Sequence, residues 1–389
     1  MHNDIIFSLF LIFCGAAFLA TLALFTRQSL LVAYIILGLI IGPGGMKLIS
    51  DPVVLKDIGD IGIIFLLFLL GLNLQPQNLL KLLKQSTVIT LLSSFAFAVI
   101  GYSVALVADF NQIDALVIGA SMMFSSTIIG LKLLPTTVLH HQRIGEIVIS
   151  ILLLQDIIAI FTLLLLHGAG KAGGMHLSEL GRVVLALPGL FLFAFLVERF
   201  FLIKIIQRFN RIHEYMFLVA IGWCLGLGQL AEYLQLSFEI GAFIAGISIA
   251  QSPISRFIAE SLRPIRDFFL ILFFFSLGAK INLTTLSEVW VWSLVLGCLM
   301  LVAKPVVFKP LLRKVAPSKA AAWEVGVRIG QISEFSLLVG YTAEKNNLIS
   351  QSAYSLIQIS TIITFIVSSY WIVNCYPTPI AASERLRRD

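Results

Sequence analysis

Residues 152–161 read LLLQDIIAIF and place Asp156 among apolar side chains, with Gln155 as its one polar neighbour. A carboxylate offers two chemistries at such a position. Its oxygens are hard ligands for an alkali ion, and the same oxygens take up a proton when the ion leaves. A charge at the centre of a membrane span costs roughly 2.5–3.5 kcal/mol on insertion scales, so it must face a cavity, a partner or an ion. Asp156 is therefore a candidate for binding a cation and a proton in turn, with Gln155 adding an amide but no second charge. The bland alternative is an ion pair inside a helix bundle.

Lys304, in LVAKPVVFKP, is the second buried-looking charge. Two readings stand side by side: it pairs with Asp156 and compensates its charge in the empty site, or it snorkels to the interface. Glu334 and Glu239 are placed to line a funnel or to cap and pair locally. Arg328 falls inside the membrane and needs an acid or helix carbonyls, whereas Lys132 lies near the end of its span and is read as snorkelling.

Two polar interruptions accompany these charges. FSSTIIG at 124–130 brings Ser125, Ser126, Thr127 and Gly130 to the middle of one apolar span, and GVRIGQISEF at 326–335 brings Gly326, Gly330, Gln331 and Ser333 to the middle of another. Small and hydroxyl-bearing runs break a membrane helix at least cost, because their side chains replace lost backbone bonds and the broken ends present partial charges to an ion. Close helix packing by small residues is the competing explanation.

The elements that must hold these groups follow from composition. Hydrophobic residues make up 59% of the 389 residues, charged residues only 12%, and Phe alone contributes 30. That balance excludes an ordinary water-soluble domain and marks an all-α polytopic membrane protein. Polar punctuation divides the chain into about thirteen spans long enough to cross a ~30 Å hydrocarbon layer, at about 5–25, 30–48, 57–74, 86–108, 113–134, 143–167, 181–203, 213–231, 234–251, 265–281, 286–308, 320–342 and 351–374. The first lacks a basic n-region and a small-residue cleavage site, so it is expected to be a retained helix. No soluble domain is visible. A short cytoplasmic tail is expected over about 375–389, too short to fold alone.

Lys and Arg choose the orientation. Alternate connections carry Arg27, Lys81, Lys84, Arg143, Lys204, Arg208, Arg211, Arg256, Arg263, Arg266, Lys309, Arg313, Lys314, Lys319, Arg385, Arg387 and Arg388, against Lys47, Lys56, Lys171, Arg182, Lys280 and Lys345 on the other side. The positive-inside rule makes the first set cytoplasmic, with the N-terminus outside. The net charge of +6 belongs to this bias and needs no nucleic-acid partner. Cys14, Cys224, Cys298 and Cys375 each sit alone in an apolar span, fit no metal spacing, and are read as packing residues. GLGQLA at 226–231 has the outline of a dinucleotide fingerprint but lies within a membrane span with no preceding strand.

An internal repeat organises the spans. AYIILGLIIG at 33–42 is echoed by GAFIAGISIA at 241–250, and FLLGLNL at 68–74 by FSLGAKINL at 275–283. Gly38 and Gly246 are 208 apart, Gly71 and Gly278 207 apart. The offset covers an odd number of spans, so the second copy enters from the opposite side. The expectation is two inverted six-helix repeats, at about 1–170 and 213–374, joined by a linker helix at about 181–203, with the two interruptions at matching positions of the halves.

These residues resemble the Kef-type potassium/proton antiporters of the monovalent cation/proton antiporter (CPA2) group, in their membrane domain. LLVAYIILGLIIGPGG, IGIIFLLFLLGLNLQPQNLLKL, SSTIIG, LLLQDIIAI, GAFIAGISIA, LFFFSLGAKINL and GQISEFSLL follow that family's segments in its order over nearly the whole chain. The resemblance implies an NhaA/NapA-like antiporter fold of thirteen helices, with a scaffold-like dimerisation domain and a mobile core domain in which crossed broken helices surround the ion site. It implies a homodimer in membrane lipid, in a bacterial inner membrane, that transports K+ or Na+ against H+ without a cofactor. By position Asp156 matches the ion-binding acid, Gln155 its neighbour in the Kef branch, and Lys304 the lysine facing that acid. Two departures are visible. Asn73 stands where the family usually has Glu, in GLNL for GLEL, and the regulatory nucleotide-binding domain of Kef proteins is not expected within these 389 residues, whether the antiporter is naturally short or this is its membrane part alone.

The expected activity is thus secondary exchange of a monovalent cation for H+ by alternating access, by a transporter and not an enzyme. A cation channel would show a re-entrant filter or charged rings, and a sodium-coupled solute symporter would need polar groups for an organic substrate near Asp156. An intramembrane aspartyl protease would need a second catalytic acid.

Overall fold

The computed structural model describes residues 5–26, 28, 30–49, 61–62, 64–65, 67–69, 71–72, 76–134, 143–171, 177–209, 212–234, 236, 238–250, 252, 255–279, 281 and 283–378. Within them the apolar runs fold as helices, the form in which a segment satisfies its own backbone groups without water. In chain order these are α1 (Ile5–Phe25), α2 (Leu30–Ile41), α3 (Pro76–Val107), α4 (Gln112–Met122), α5 (Thr127–Lys132), α6 (Arg143–Lys171), α7 (Leu177–Val197), α8 (Ile203–Arg208), α9 (His213–Tyr233), α10 (Phe238–Ala250), α11 (Ser255–Ala279), α12 (Leu283–Leu311), α13 (Lys319–Arg328), α14 (Glu334–Lys345) and α15 (Gln351–Cys375). Among the described residues six helices are long and apolar enough to cross a membrane: those containing Ile6–Phe25, Ser86–Val107, Ile144–Leu163, Glu214–Tyr233, Ser287–Lys314 and Gln351–Cys375.

Several expected spans are cut differently. The span expected at 30–48 ends as a helix at Ile41. Pro43 disfavours helical backbone at Gly42, and the chain instead turns back with the Met46 amide on the Ile40 carbonyl at 2.6 Å. The linker expected at 181–203 is longer, because α7 runs through a π-helical turn at Glu198–Leu202 into α8. The spans at 113–134 and 320–342 are each two helices: α4 stops at Met122 and α5 starts at Thr127, while α13 stops at Arg328 and α14 starts at Glu334. Asn73, part of the span at 57–74, and the tail from 379 onward lie outside the described residues.

The chain forms two compact units, each drawing on both halves of the sequence. One comprises residues 1–16, 34–79 and 167–280. Here the echoed glycines pack crosswise. A Cβ on Gly38 would strike the Phe275 carbonyl and Gly278, and one on Gly71 would strike the Phe243 carbonyl and Gly246. The relation is reciprocal: a Cβ on Gly278 meets the Ile35 carbonyl, and one on Gly246 meets the Phe68 carbonyl. Helix backbones approach this closely only where side chains are absent. Gly278→Ala should therefore overpack the contact and cost about 1–3 kcal/mol, lowering the unfolding temperature of detergent-solubilised protein. Gly189→Ala, with nothing within 4 Å of the added Cβ, is the neutral control.

The other unit comprises residues 17–33, 80–166 and 281–389 and contains both interrupted spans. α12 packs along α15 and against α13. Pro305 interrupts the hydrogen-bond ladder of α12, and Gly326 lets α13 settle against that proline, its added Cβ lying 2.7 Å from Pro305 Cα. This approach puts Lys304, next to the proline, within reach of the chain just beyond α13.

Candidate functional site

The interruption between α4 and α5 is built by side chains standing in for lost helix bonds. Ser126 caps α5, its hydroxyl accepting the Ile129 amide at 3.2 Å. Gln155 projects from α6 with both ends of its amide on the opened backbone: its Oε1 accepts the Ser125 amide at 3.1 Å and its Nε2 donates to the Met123 carbonyl at 3.1 Å. Gln155 thus holds the opened backbone of residues 123–125 in place beside Asp156. The second interruption is held in the same manner. Ser333 caps α14 and accepts the Phe335 amide at 3.1 Å, and Thr364 of α15 accepts the Ile332 amide at 3.0 Å.

The two openings meet. An antiparallel bridge joins Ser125 to Ile332. Gln331 spans them, donating to the Ser126 carbonyl at 3.3 Å and accepting from the Ser368 hydroxyl at 3.0 Å. Ser125, Ser126, Gln331 and Ser333 are all wholly buried, and their polar atoms are spent on this scaffold. Gly330, bonded through its amide to the Val327 carbonyl, supplies the small residue at the turn.

Asp156 stands beside this crossing and is 1% exposed. The hydroxyl of Thr127, first residue of α5, lies 3.1 Å from both carboxylate oxygens and donates to them. A carboxylate has about four acceptor sites, and Thr127 is the hydrogen-bond donor seen on it among the described residues. The remaining lone pairs are what a cation or proton would engage. Glu334, at the start of α14 and 3% exposed, is a second buried acid, next to the second interruption.

Lys304 is held by acceptors that neither expected role names. It is fully buried, so it does not snorkel. Its contacts also do not include the Asp156 carboxylate. Its ammonium donates to the Phe124 carbonyl at 2.5 Å, the Gln331 carbonyl at 2.9 Å and the Ser125 hydroxyl at 3.1 Å, and lies 5.4 Å from the centre of the Phe97 ring. Three donors meet three acceptors, with two of those acceptors carbonyls freed by the two interruptions. The charge of Lys304 is compensated by backbone dipoles at the crossing.

Arg328, last residue of α13, is 1% exposed and has the acid and carbonyls its position calls for. It pairs with Glu324 at 2.8 Å and donates to the carbonyls of Leu133 at 3.1 Å and Pro377 at 3.0 Å. The side chains of Glu239 and Lys132 lie outside the described residues.

Asp114 was not singled out by its sequence. It sits in α4, accepts the Ser350 amide at 3.0 Å and the Ser350 hydroxyl at 2.7 Å, and so ties the start of α15 to α4. The available signal was NQID at 111–114: Asn111 caps α4 by accepting the Asp114 amide at 2.8 Å, as an Asn with an acid three residues on would suggest. That pattern says nothing of Ser350.

A sequence profile of the transmembrane sodium/hydrogen exchangers matches residues 9–374. The chain is 27% identical over 360 residues to the iron transporter MagA of Paramagnetospirillum magneticum, a match covering 89% of this chain and 80% of that protein. It is 28% and 27% identical to K(+) efflux antiporters 5 and 6 of Arabidopsis thaliana, over 353 and 351 residues. Those matches take in 88% of this chain but only 61% and 58% of the plant proteins, so the chain spans about three fifths of their length. The fold is similar to that of the sodium proton antiporter MjNhaP1 from Methanocaldococcus jannaschii, with a TM-score of 0.71 over 94% of this chain and 95% of that one, at 18% identity.

Proposed function

Because the chain belongs to the transmembrane sodium/hydrogen exchanger family, we propose that it exchanges a monovalent cation, K+ foremost with Na+ as the alternative, for H+ by alternating access, with Asp156 binding cation and proton in turn. The observation that carries this is the buried Asp156 carboxylate, with one hydroxyl on it among the described residues, beside the crossing of two interrupted helices. The groups seen there are the oxygen atoms of a carboxylate and a hydroxyl, which suit a hard ion. In this reading the unit holding both interruptions is the moving core and the other is the scaffold of a homodimer. The full protein has thirteen spans arranged as two inverted repeats in a bacterial inner membrane, with the N-terminus outside and the C-terminus cytoplasmic. The crosswise pairing of Gly38 with Gly278 and Gly71 with Gly246 supports such a pseudo-twofold relation.

The test is proton flux in liposomes driven only by a K+ or Na+ gradient. Exchange predicts that either gradient, imposed at equal pH on the two sides, moves protons in the opposite direction. One carboxylate trading one proton for one monovalent ion moves no net charge, so voltage alone should drive no steady proton flux; if it does, a second group titrates with Asp156, and the buried Glu334 is the candidate. Cation current without proton movement would indicate a channel, and a requirement for an organic solute a symporter.

A further inference from the structure

We infer that Arg328 is a positioning residue for the ion site and that, through it, the segment Tyr376–Pro377 after α15 is mechanically joined to that site. The inference rests on the exchange reading of Asp156 and concerns what sets its geometry. Arg328 brings three parts of the chain to one guanidinium. Its Nε donates to Glu324 at 2.9 Å within α13, one terminal nitrogen donates to the Leu133 carbonyl, and the other to the Pro377 carbonyl, while the Tyr376 ring lies 5.5 Å away. Glu324, the acid facing it, is itself 21% exposed and fixes the guanidinium plane from one side.

Two of these attachments lead directly to the site. Leu133 follows α5, and the other end of α5 is Thr127, whose hydroxyl sits on both oxygens of Asp156. A helix of six residues is a rod of about 9 Å, so where Arg328 holds Leu133 decides where Thr127 meets the carboxylate. On its own helix Arg328 directly precedes the opening that runs through Gln331, whose carbonyl binds Lys304 and whose amide binds the Ser126 carbonyl. One side chain therefore fixes an arm of each interrupted span. The third attachment, Pro377, makes the chain beyond α15 a handle on both: pulling the Pro377 carbonyl away removes a hydrogen bond from the guanidinium that registers α5.

A fork of fixed geometry is needed here. Lysine keeps the charge but cannot direct separate N–H groups to Glu324, Leu133 and Pro377 at once. The experiment measures K+-driven proton exchange in liposomes together with K+-dependent thermal stabilisation of purified protein. Arg328→Gln should raise the apparent KM for K+ about tenfold, equivalent to about 1.4 kcal/mol, with the maximal rate of the inserted protein changed less. Arg328→Lys should recover only part of that loss. Tyr376→Ala should shift KM in the same direction by about threefold, equivalent to roughly 0.6 kcal/mol. Thr127→Val combined with Arg328→Gln should raise KM by less than the two single losses combined, because part of the effect of Arg328 passes through the Thr127 contact. If Arg328 serves stability alone, its variants will lose folded protein while the remainder keeps the parent KM, or the double variant will show additive losses; either result overturns the inference. Should Arg328→Gln fail to fold, Tyr376→Ala with an unchanged KM overturns it equally. Absence of K+- or Na+-driven flux in the parent would instead strike the exchange reading, which separates the two failures.

Discussion

Asp156→Asn should reduce cation-driven proton exchange to the level of protein-free liposomes while leaving the protein inserted and folded. Asn keeps the shape of the side chain, and its Oδ1 still accepts the Thr127 hydroxyl that now sits 3.1 Å from the carboxylate, so the packing of α5 on α6 has no reason to change. What disappears is the charge. An amide neither neutralises a dehydrated cation nor takes up a proton near neutral pH, and loss of even about 3 kcal/mol of ion binding is a factor of more than a hundred in affinity. A second readout separates a dead site from a damaged fold. A cation that binds only the folded state stabilises it in proportion to the logarithm of its concentration, so K+ should raise the unfolding temperature of the parent and leave that of Asp156→Asn where it is. Exchange retained in the variant would place the ion elsewhere, with Glu334 the first alternative because it is a second buried acid, next to the second interruption.

The parts of this site that sequence exposes are those with a local cause. Asp156 is visible because a carboxylate in LLLQDIIAIF has no local partner and must have a distant one or an ion. Both interruptions are visible because each puts hydroxyls, which replace helix bonds, and glycines, which tolerate the turn, at the middle of an apolar span. The family resemblance to Kef-type antiporters rests on such segments, and the K(+) efflux antiporters among the relatives agree with it. What stays hidden is the partner across helices. Lys304 reads as an ion-pair or interface lysine, since nothing in LVAKPVVFKP reports that two carbonyls 180 and 27 residues away will converge on its ammonium. Asp114 and Ser350 are 236 residues apart and each looks like an ordinary helix-cap residue. Gln155 reads as a ligand beside Asp156, yet its amide faces the backbone of the opening. In each case side-chain type tells what kind of group is required, and only the crossing of the chains tells which atom supplies it. Short helices fail for a similar reason: the apolar run at 30–48 has the length of a span, but Gly42–Pro43 ends its helix early.

Lys304→Gln should destabilise the folded protein strongly and abolish exchange as a consequence, with little protein left that merely works at a different pH. The ammonium is fully buried and saturates three acceptors. Removing one partner from a buried charged network costs about 3–5 kcal/mol, and each carbonyl left without a donor contributes about 1–3 kcal/mol of that. A glutamine amide is shorter and has only two N–H groups, so at least one of Phe124, Ser125 and Gln331 loses its partner. The lost contacts are those that hold the two openings together, so the Ser125–Ile332 bridge loosens and Asp156 loses its frame. Lys304→Arg restores the charge but not the point-like donor set; against the Phe97 ring a planar guanidinium cannot converge on three acceptors as an ammonium does, so it should regain part of the stability and little of the transport. A lysine acting on the site through its charge at Asp156 makes the opposite forecast: the Gln variant would unfold at the parent's temperature and shift its exchange profile between about pH 6 and 9. Unfolding temperature and pH profile measured on the same reconstituted preparations decide between a lysine that sets the carboxylate's proton affinity and one that binds the two interrupted helices into a single site.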